Sequence, residues 1–224
     1  MIKPYFQNKW VTIYHGDCRE LLPELPKIDL ILTDPSYGVN FKKSGEPYMA
    51  GDSINLMPLV LPMFYKLLKP DGALFIFSSV AYLKDFLYSF ETYFKMHNII
   101  IWDKVNPIYP HSKAHFQLQY EPIIYGSKGL HYLKNKKVSD IIKCPIVRGK
   151  AKVHPTQKPL PLIVELLSPL LDKNQLVLDP FFGSGTTALA CVQTNRHCIG
   201  IEIEEKYCEI AAKRCSQEVM ELNL

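Results

Sequence analysis

The chain has 224 residues, nearly half of them apolar and about a fifth charged, enough for one sizeable α/β domain with a continuous core. No apolar run approaches the roughly 20 residues of a membrane span, and the longest, 73–83, is bounded by Asp71 and Lys84. With no charged-then-apolar signal pattern at the N-terminus, a cytoplasmic protein without membrane contact is expected, and the net charge of +4 is too small to define a partner.

In chain order, Val11 to Tyr14 reads as a strand ending at Gly16-Asp17, and Ile28 to Thr33 as a continuous apolar strand ending at Asp34-Pro35,. Asn55 to Leu68 reads as a helix, Lys69-Pro70-Asp71-Gly72 as a turn and Ala73 to Phe77 as a strand,. A striped helix over Tyr82 to Tyr93 follows, then two strands, Lys95 to Trp102 and Tyr120 to Tyr125, paired as a hairpin,. Between Lys128 and Lys152 eight basic residues face one acid, Asp140, without strong periodicity. That stretch is either a solvated loop or a surface that neutralises phosphates. A helix opened by prolines covers Pro159 to Leu171, a buried strand Leu176 to Leu178, a helix Gly185 to Thr194, a strand His197 to Ile201 and a closing helix Glu204 to Val219,. Such alternation implies a mainly parallel sheet with helices on both faces and ligands at the carboxyl ends of the strands.

The six cysteines (18, 144, 191, 198, 208 and 215) form no Cys-x-x-Cys pair. They are expected as reduced, mostly buried thiols rather than a disulfide framework or a metal site.

Asp179-Pro180-Phe181-Phe182-Gly183-Ser184-Gly185-Thr186-Thr187 lies between a buried strand and a helix. Glycines there admit a ligand close to the backbone, and the helix offers free N–H groups. Glu202 ends the next strand, where a carboxylate can accept both ribose hydroxyls of an adenosine,. The spacing Gly183-x-Gly185-x-x-Ala188 also satisfies a loose dinucleotide fingerprint, or a plain strand–helix turn,. A nicotinamide enzyme would leave the second loop, Thr33-Asp34-Pro35-Ser36-Tyr37-Gly38, unexplained.

Asp34 to Tyr37 resembles the Asp-Pro-Pro-Tyr signature of amino-group DNA methyltransferases, with Ser36 in place of the usual second proline. Asp179 to Thr186 resembles their cofactor motif, and His154-Pro155-Thr156-Gln157-Lys158-Pro159 the segment that precedes it in the β-class order. The resemblance spans nearly the whole chain. It implies a Rossmann-like, S-adenosylmethionine-dependent fold with a mostly parallel seven-stranded sheet, an antiparallel hairpin and a circularly permuted motif order. In that order the glycine loop is followed by the Glu202 strand, the Asp17 strand and the Asp34 strand.

Transfer to adenine N6 in DNA is the implied reaction, since family members whose signature begins with Asp usually act there and those beginning with Ser on cytosine N4. Asp34 and the Pro35 carbonyl would accept the two amino hydrogens of an extruded base, Tyr37 would stack on it, and Ser36 adds a hydroxyl to the loop. The resemblance assigns S-adenosyl-L-methionine to Asp17, Cys18, Asp34, Thr156, Lys158, Pro159, Asp179, Pro180, Phe181, Gly183, Ser184, Gly185, Thr186 and Glu202. Lys158 would reach its carboxylate. Asp17 fits equally as a helix N-cap, Lys158 as a solvated lysine and Phe181 as core.

Trp102-Asp103-Lys104-x-Asn106-Pro107 resembles a segment lining the target-base site, with Trp102 equally suited to the core. His111, Lys113 and His115 are candidates to touch DNA, and the loop 38–55 to close over it. Residues 126–153, where β-class enzymes place target recognition, form a short basic insertion within a single domain. A relaxed recognition sequence, or recognition completed by a second subunit in a homodimer, follows. The alternatives are methylation of cytosine N4 or an RNA base, or a DNA-binding module with the same fold and weak activity.

Overall fold

The computed structural model describes residues 2–35, 55–108, 116–134, 137–170 and 172–222. Among these, nine strands form one sheet: β1 (Phe6–Gln7), β2 (Val11–His15), β3 (Ile28–Thr33), β4 (Leu68–Phe77), β5 (Lys95–Ile108), β6 (Leu118–Ser127), β7 (Ile141–Lys143), β8 (Leu176–Asp179) and β9 (His197–Glu202). Their spatial order is β1-β2-β9-β8-β3-β4-β6-β5-β7. The expected seven strands are the stretch from β2 to β5 in this order, with two edge strands added. β1 is two residues long and β7 three, too short for a periodic signal. β2, β9, β8, β3 and β4 run parallel, while β6 is antiparallel to β4 and β5. The carboxyl ends of β3, β4 and β5 therefore share one edge of the sheet, and β7, parallel to β5, ends there too.

All six residues of β3 are buried, as a strand covered on both faces requires. Its side chains alternate between two cores. Leu30 and Leu32 meet α4 (Leu160–Leu167), α5 (Thr186–Gln193) and α6 (Glu205–Leu222) on one face, and Ile31 meets α1 (Cys18–Leu21), α2 (Met57–Leu67) and α3 (Leu83–Glu91) on the other. α2 starts two residues later than its pattern, after Asn55 Oδ1 accepts the Met57 N–H at 3.1 Å, and it carries Pro62 internally. α4 ends at Leu167, short of Leu171.

Lys69 to Gly72 does not separate a helix from a strand as expected. These residues belong to β4, where pairing with β3 jumps from Ile28↔Leu68 to Leu30↔Ala73, so the turn chemistry becomes an irregularity inside the strand,.

Counting the glycine-loop strand β8 as first gives β9 second, β2 third, β3 fourth and β4 fifth. The spatial order is then 3-2-1-4-5, that of a doubly wound sheet,. The order reverses between β8 and β3, and ligands bind beyond the carboxyl ends of such strands. Asp179 and Asp34 stand at those two ends.

Candidate active site

The glycine loop is held from beneath. Phe182 is buried with its ring against Gly200 of β9, where even a Cβ would come within 2.4 Å of ring carbons. Its N–H donates to the Ile201 carbonyl at 2.9 Å, and its carbonyl accepts the Gly185 N–H at 3.1 Å. Gly183 and Gly185 adopt φ of 53° and 80°, the left-handed region that glycine enters without penalty. Gly185 is the N-cap of α5. From α6, Arg214 donates to the Ser184 carbonyl at 2.5 Å and hydroxyl at 3.1 Å. Pro180 is buried and Phe181 half-buried against the α1–α2 side.

Two carboxylates fix this loop. Asp179 accepts from the Thr187 hydroxyl at 2.6 Å and the Phe181 N–H at 3.1 Å. Burial pushes its pKa up to about 7, against those two donors and aided by the charges of Asp34 and Glu202,. Glu202 accepts the N–H groups of Gly183 and Glu204, each at 2.8 Å. Burial raises its pKa too. The Ile203 N–H is a third donor to this carboxylate, and its roughly four lone-pair sites leave acceptor capacity beyond the three. Beside Glu202, at the tip of β2, Asp17 caps α1 through the Arg19 N–H at 2.9 Å and pairs with the Arg19 guanidinium at 2.5 Å. The Cys18 thiol is pushed up to about 12 by burial, so it offers no thiolate.

Across the switch point, Asp34 meets Lys158. The Lys158 ammonium lies 2.6 Å from Asp34 and 2.8 Å from Glu121, whose other oxygen is 3.1 Å from Lys104. Both ammonium groups lie over aromatic rings: Lys158 sits 4.8 Å from the Phe77 centroid and 5.9 Å from that of Trp102, and Lys104 sits 5.2 Å from Trp102. Burial pulls the Lys158 pKa down, but Asp34 and Glu121 outweigh it and hold the ammonium well above its ordinary value. Glu121 is likewise held below the usual carboxylate range by Lys158 and Lys104, against its burial. Pro35 is buried beside Asp34.

Pro159 caps α4, and Thr156 contacts His154 Nδ1 through its N–H at 3.3 Å and its hydroxyl at 3.2 Å. His154 stands edge-on to Tyr207 and within 3.5 Å of the space beside Gly183, so this segment forms a wall of the glycine loop. Burial lowers its pKa to about 4, leaving a neutral ring at pH 7. Trp102 is core: it is buried, and its indole N–H donates to the Cys144 carbonyl at 2.6 Å. Ser36, Tyr37, residues 38–54, His111, Lys113 and His115 lie outside the described residues.

A family model described as DNA methylase (N6_N4_Mtase) matches residues 28–213.

The chain belongs to the DNA methylase family.

The Type II methyltransferase M2.MboI of Moraxella bovis is 34% identical over 255 aligned positions, covering 95% of this chain and 91% of that protein. M.HinfI of Haemophilus influenzae is 28% identical, covering 96% and 70%. A crystal structure of the M1.HpyAVI–SAM complex superposes with a TM-score of 0.76 at 28% identity, covering 92% of this methylase and 98% of that chain. The cytosine-N4-specific PvuII DNA methyltransferase gives 0.78 at 21% identity, covering 95% and 89%, a likeness of fold.

Of the expected residues, those described, from Asp17 and Asp34 to Lys158, Asp179 and Glu202, lie at one edge of the sheet on elements far apart in sequence. Glu121 and the ion-pairing role of Lys104 had no sequence signal. Glu121 sits in an ordinary strand run, and only the antiparallel return of β6 carries it to Lys158.

Proposed function

We propose that this methylase transfers a methyl group from S-adenosyl-L-methionine to adenine N6 in DNA. The observation that carries this reading is Asp34 at the carboxyl end of β3, beside the glycine-loop strand and held 2.6 Å from the Lys158 ammonium.

The residues present fit the methyl donor. Glu202 is buried, yet its carboxylate keeps acceptor capacity beyond its three backbone donors, suited to a ribose hydroxyl,. Gly183 to Thr186 present a turn open to close approach, backed by the first N–H groups of α5,. Asp17 and Cys18 flank Glu202 at the next strand tip. Asp179, Pro180, Phe181 and Ser184 shape the floor, and Thr156, Lys158 and Pro159 the facing wall. When bound, S-adenosyl-L-methionine supplies an electrophilic methyl group on a sulfonium.

The chain's task is to prepare the amine. An exocyclic amino nitrogen is a poor nucleophile because its lone pair is delocalised into the ring. Asp34 and the Pro35 carbonyl each accept one amino hydrogen, which favours a tetrahedral nitrogen with its lone pair free. This is catalysis by positioning and electrostatics. Tyr37 stacks on a base extruded from the duplex, returning about 1–3 kcal/mol of the unstacking cost. Recognition of the DNA is relaxed, or is completed by a second copy of the chain. Aspartate at the first position of the signature supports adenine over cytosine.

Incubation with labelled S-adenosyl-L-methionine and unmethylated DNA, digestion to nucleosides and mass analysis should give N6-methyladenine. Asp34→Ala should lose at least about 100-fold in rate while remaining folded. N4-methylcytosine as product would replace adenine, absence of transfer would leave a binding module, and full activity in Asp34→Ala would overturn the mechanism.

A further inference from the structure

Glu121 is a buried carboxylate facing the site from β6, with a side chain 15% exposed. It bridges two cations, Lys104 on β5 at 3.1 Å and Lys158 ahead of α4 at 2.8 Å. Lys158 is itself only 13% exposed and touches Asp34 at 2.6 Å. Among the described residues, the charged groups around this ammonium are Asp34 from β3, Glu121 from β6 and, beyond Glu121, Lys104 from β5; Asp179 stands behind Asp34 on β8. His154, neutral at pH 7, senses the Lys158 charge from the wall of the glycine loop. Phe77 and Trp102 supply only ring faces.

This arrangement answers a difficulty in the proposed chemistry. A buried ammonium with a single anionic partner holds it tightly, because losing that partner leaves an uncompensated buried charge. Were Asp34 the sole anion at Lys158, it could not turn an oxygen to an incoming amine without stranding that ammonium. With Glu121 on its other side, Lys158 keeps an anion throughout.

We propose that Glu121 is a positioning residue for methyl transfer: anchored by Lys104, it holds the Lys158 ammonium at Asp34 and compensates that ammonium while Asp34 engages the target amine. The inference rests on the proposed transfer reaction. It assigns a function to a strand residue outside the family motifs read from the sequence.

The test compares Glu121→Gln, Glu121→Asp and the double variant Glu121→Gln/Lys104→Met with the wild type in single-turnover methylation across pH. Affinities for S-adenosyl-L-methionine and DNA are measured separately. Glu121→Gln should slow transfer by about 100-fold, the scale of a misplaced reacting group, with both affinities within about threefold. Glu121→Asp should regain at least a tenth of the wild-type rate. Because Glu121 helps raise the Lys158 pKa and burial lowers it, the alkaline limb should move to lower pH in Glu121→Gln. Nuclear magnetic resonance of the Lys158 ε-carbon in the unliganded protein should show the same downward move. The double variant should remain slow.

Wild-type rate in Glu121→Gln, or recovery in the double variant, would overturn the inference by reducing Glu121 to a counter-ion for Lys104. If Glu121→Gln fails to fold, the double and Asp variants still decide by the same criteria. A wild-type chain that binds S-adenosyl-L-methionine and methylates no base would overturn the proposed function itself, whatever the ε-carbon titration shows.

Discussion

Asp179 carries a stability penalty. It is buried beside two other carboxylates, and its pKa is pushed up to about 7 from an ordinary 3.8. The folded state therefore keeps a proton that the unfolded chain gives up above pH 4. Stability contributed by that proton is present at low pH and lost as pH rises through 7, and the full span amounts to roughly 4 kcal/mol. Asp179→Asn removes the titration while its amide can still accept the Phe181 N–H. Urea unfolding should show the variant gaining roughly 3 kcal/mol relative to the wild type between pH 5 and pH 8; a difference independent of pH would mean that Asp179 titrates normally. A carboxylate kept at such expense points to a functional position. Its sequence setting announced this, because Asp179 precedes a glycine turn and ends an apolar strand. Glu121 could not be found the same way. Its neighbours Tyr120 and Pro122 form no motif, and its partners lie 17 and 37 positions away, at Lys104 and Lys158. Local patterning does not encode an ion pair closed by strand pairing.

At the scale of elements, the glycine loop depends on a glycine outside it. Gly200 gives the Phe182 ring its space, and the Phe182 backbone ties the loop to β9 and Gly185. Gly200→Ala puts a methyl group 2.4 Å from that ring, and overpacking of this kind costs about 1–3 kcal/mol. Displacing the ring also moves the turn, so affinity for S-adenosyl-L-methionine should fall together with stability. Phe182→Leu in the same background should recover part of both, because the two sites share one contact. Unchanged calorimetric affinity and unfolding in Gly200→Ala would show that the loop is held by other means. The elements themselves were largely legible. Four of the five strands of the parallel set, β2, β3, β8 and β9, are short apolar runs leading into Asp, Glu or Gly, while β4 ends at Phe77 before Ser78,. The edges were not. β7 reads Ile141-Ile142-Lys143 with only Ile142 buried, a pattern too brief to separate from the basic loop around it. Lys69 to Gly72 carries turn chemistry that strand pairing overrides.

For the whole molecule, the permuted motif order was legible through the family resemblance, since joining the chain's ends in thought puts the glycine loop, the Glu202 strand, the Asp17 strand and the Asp34 strand in succession; the spatial order 3-2-1-4-5 came only with the strand pairing. How the methylase holds DNA was less so, because a net charge of +4 says little and the placement of charge says more. Of the eight basic residues between 128 and 152, Lys128 folds over the Tyr65 ring at 4.6 Å and donates to the Leu68 carbonyl, and Lys134 pairs with Asp172. Lys143, Arg148 and Lys152 are exposed. Lys143 ends β7 in register with Asp103 of β5, and so lies on the edge of the sheet where β3 presents Asp34. A phosphate backbone drawn to that edge brings the duplex to the site without reading its sequence. Replacing these three residues by Gln should weaken DNA binding at low salt. It should also flatten the plot of log affinity against log salt by up to about 3, at roughly 0.9 per phosphate contact. Affinity for S-adenosyl-L-methionine should change far less, because the three are exposed and only Lys152 acts on the wall of the glycine loop, through its charge on His154. A salt slope equal to that of the wild type would place the phosphate contacts elsewhere and leave the segment a solvated cover for β5.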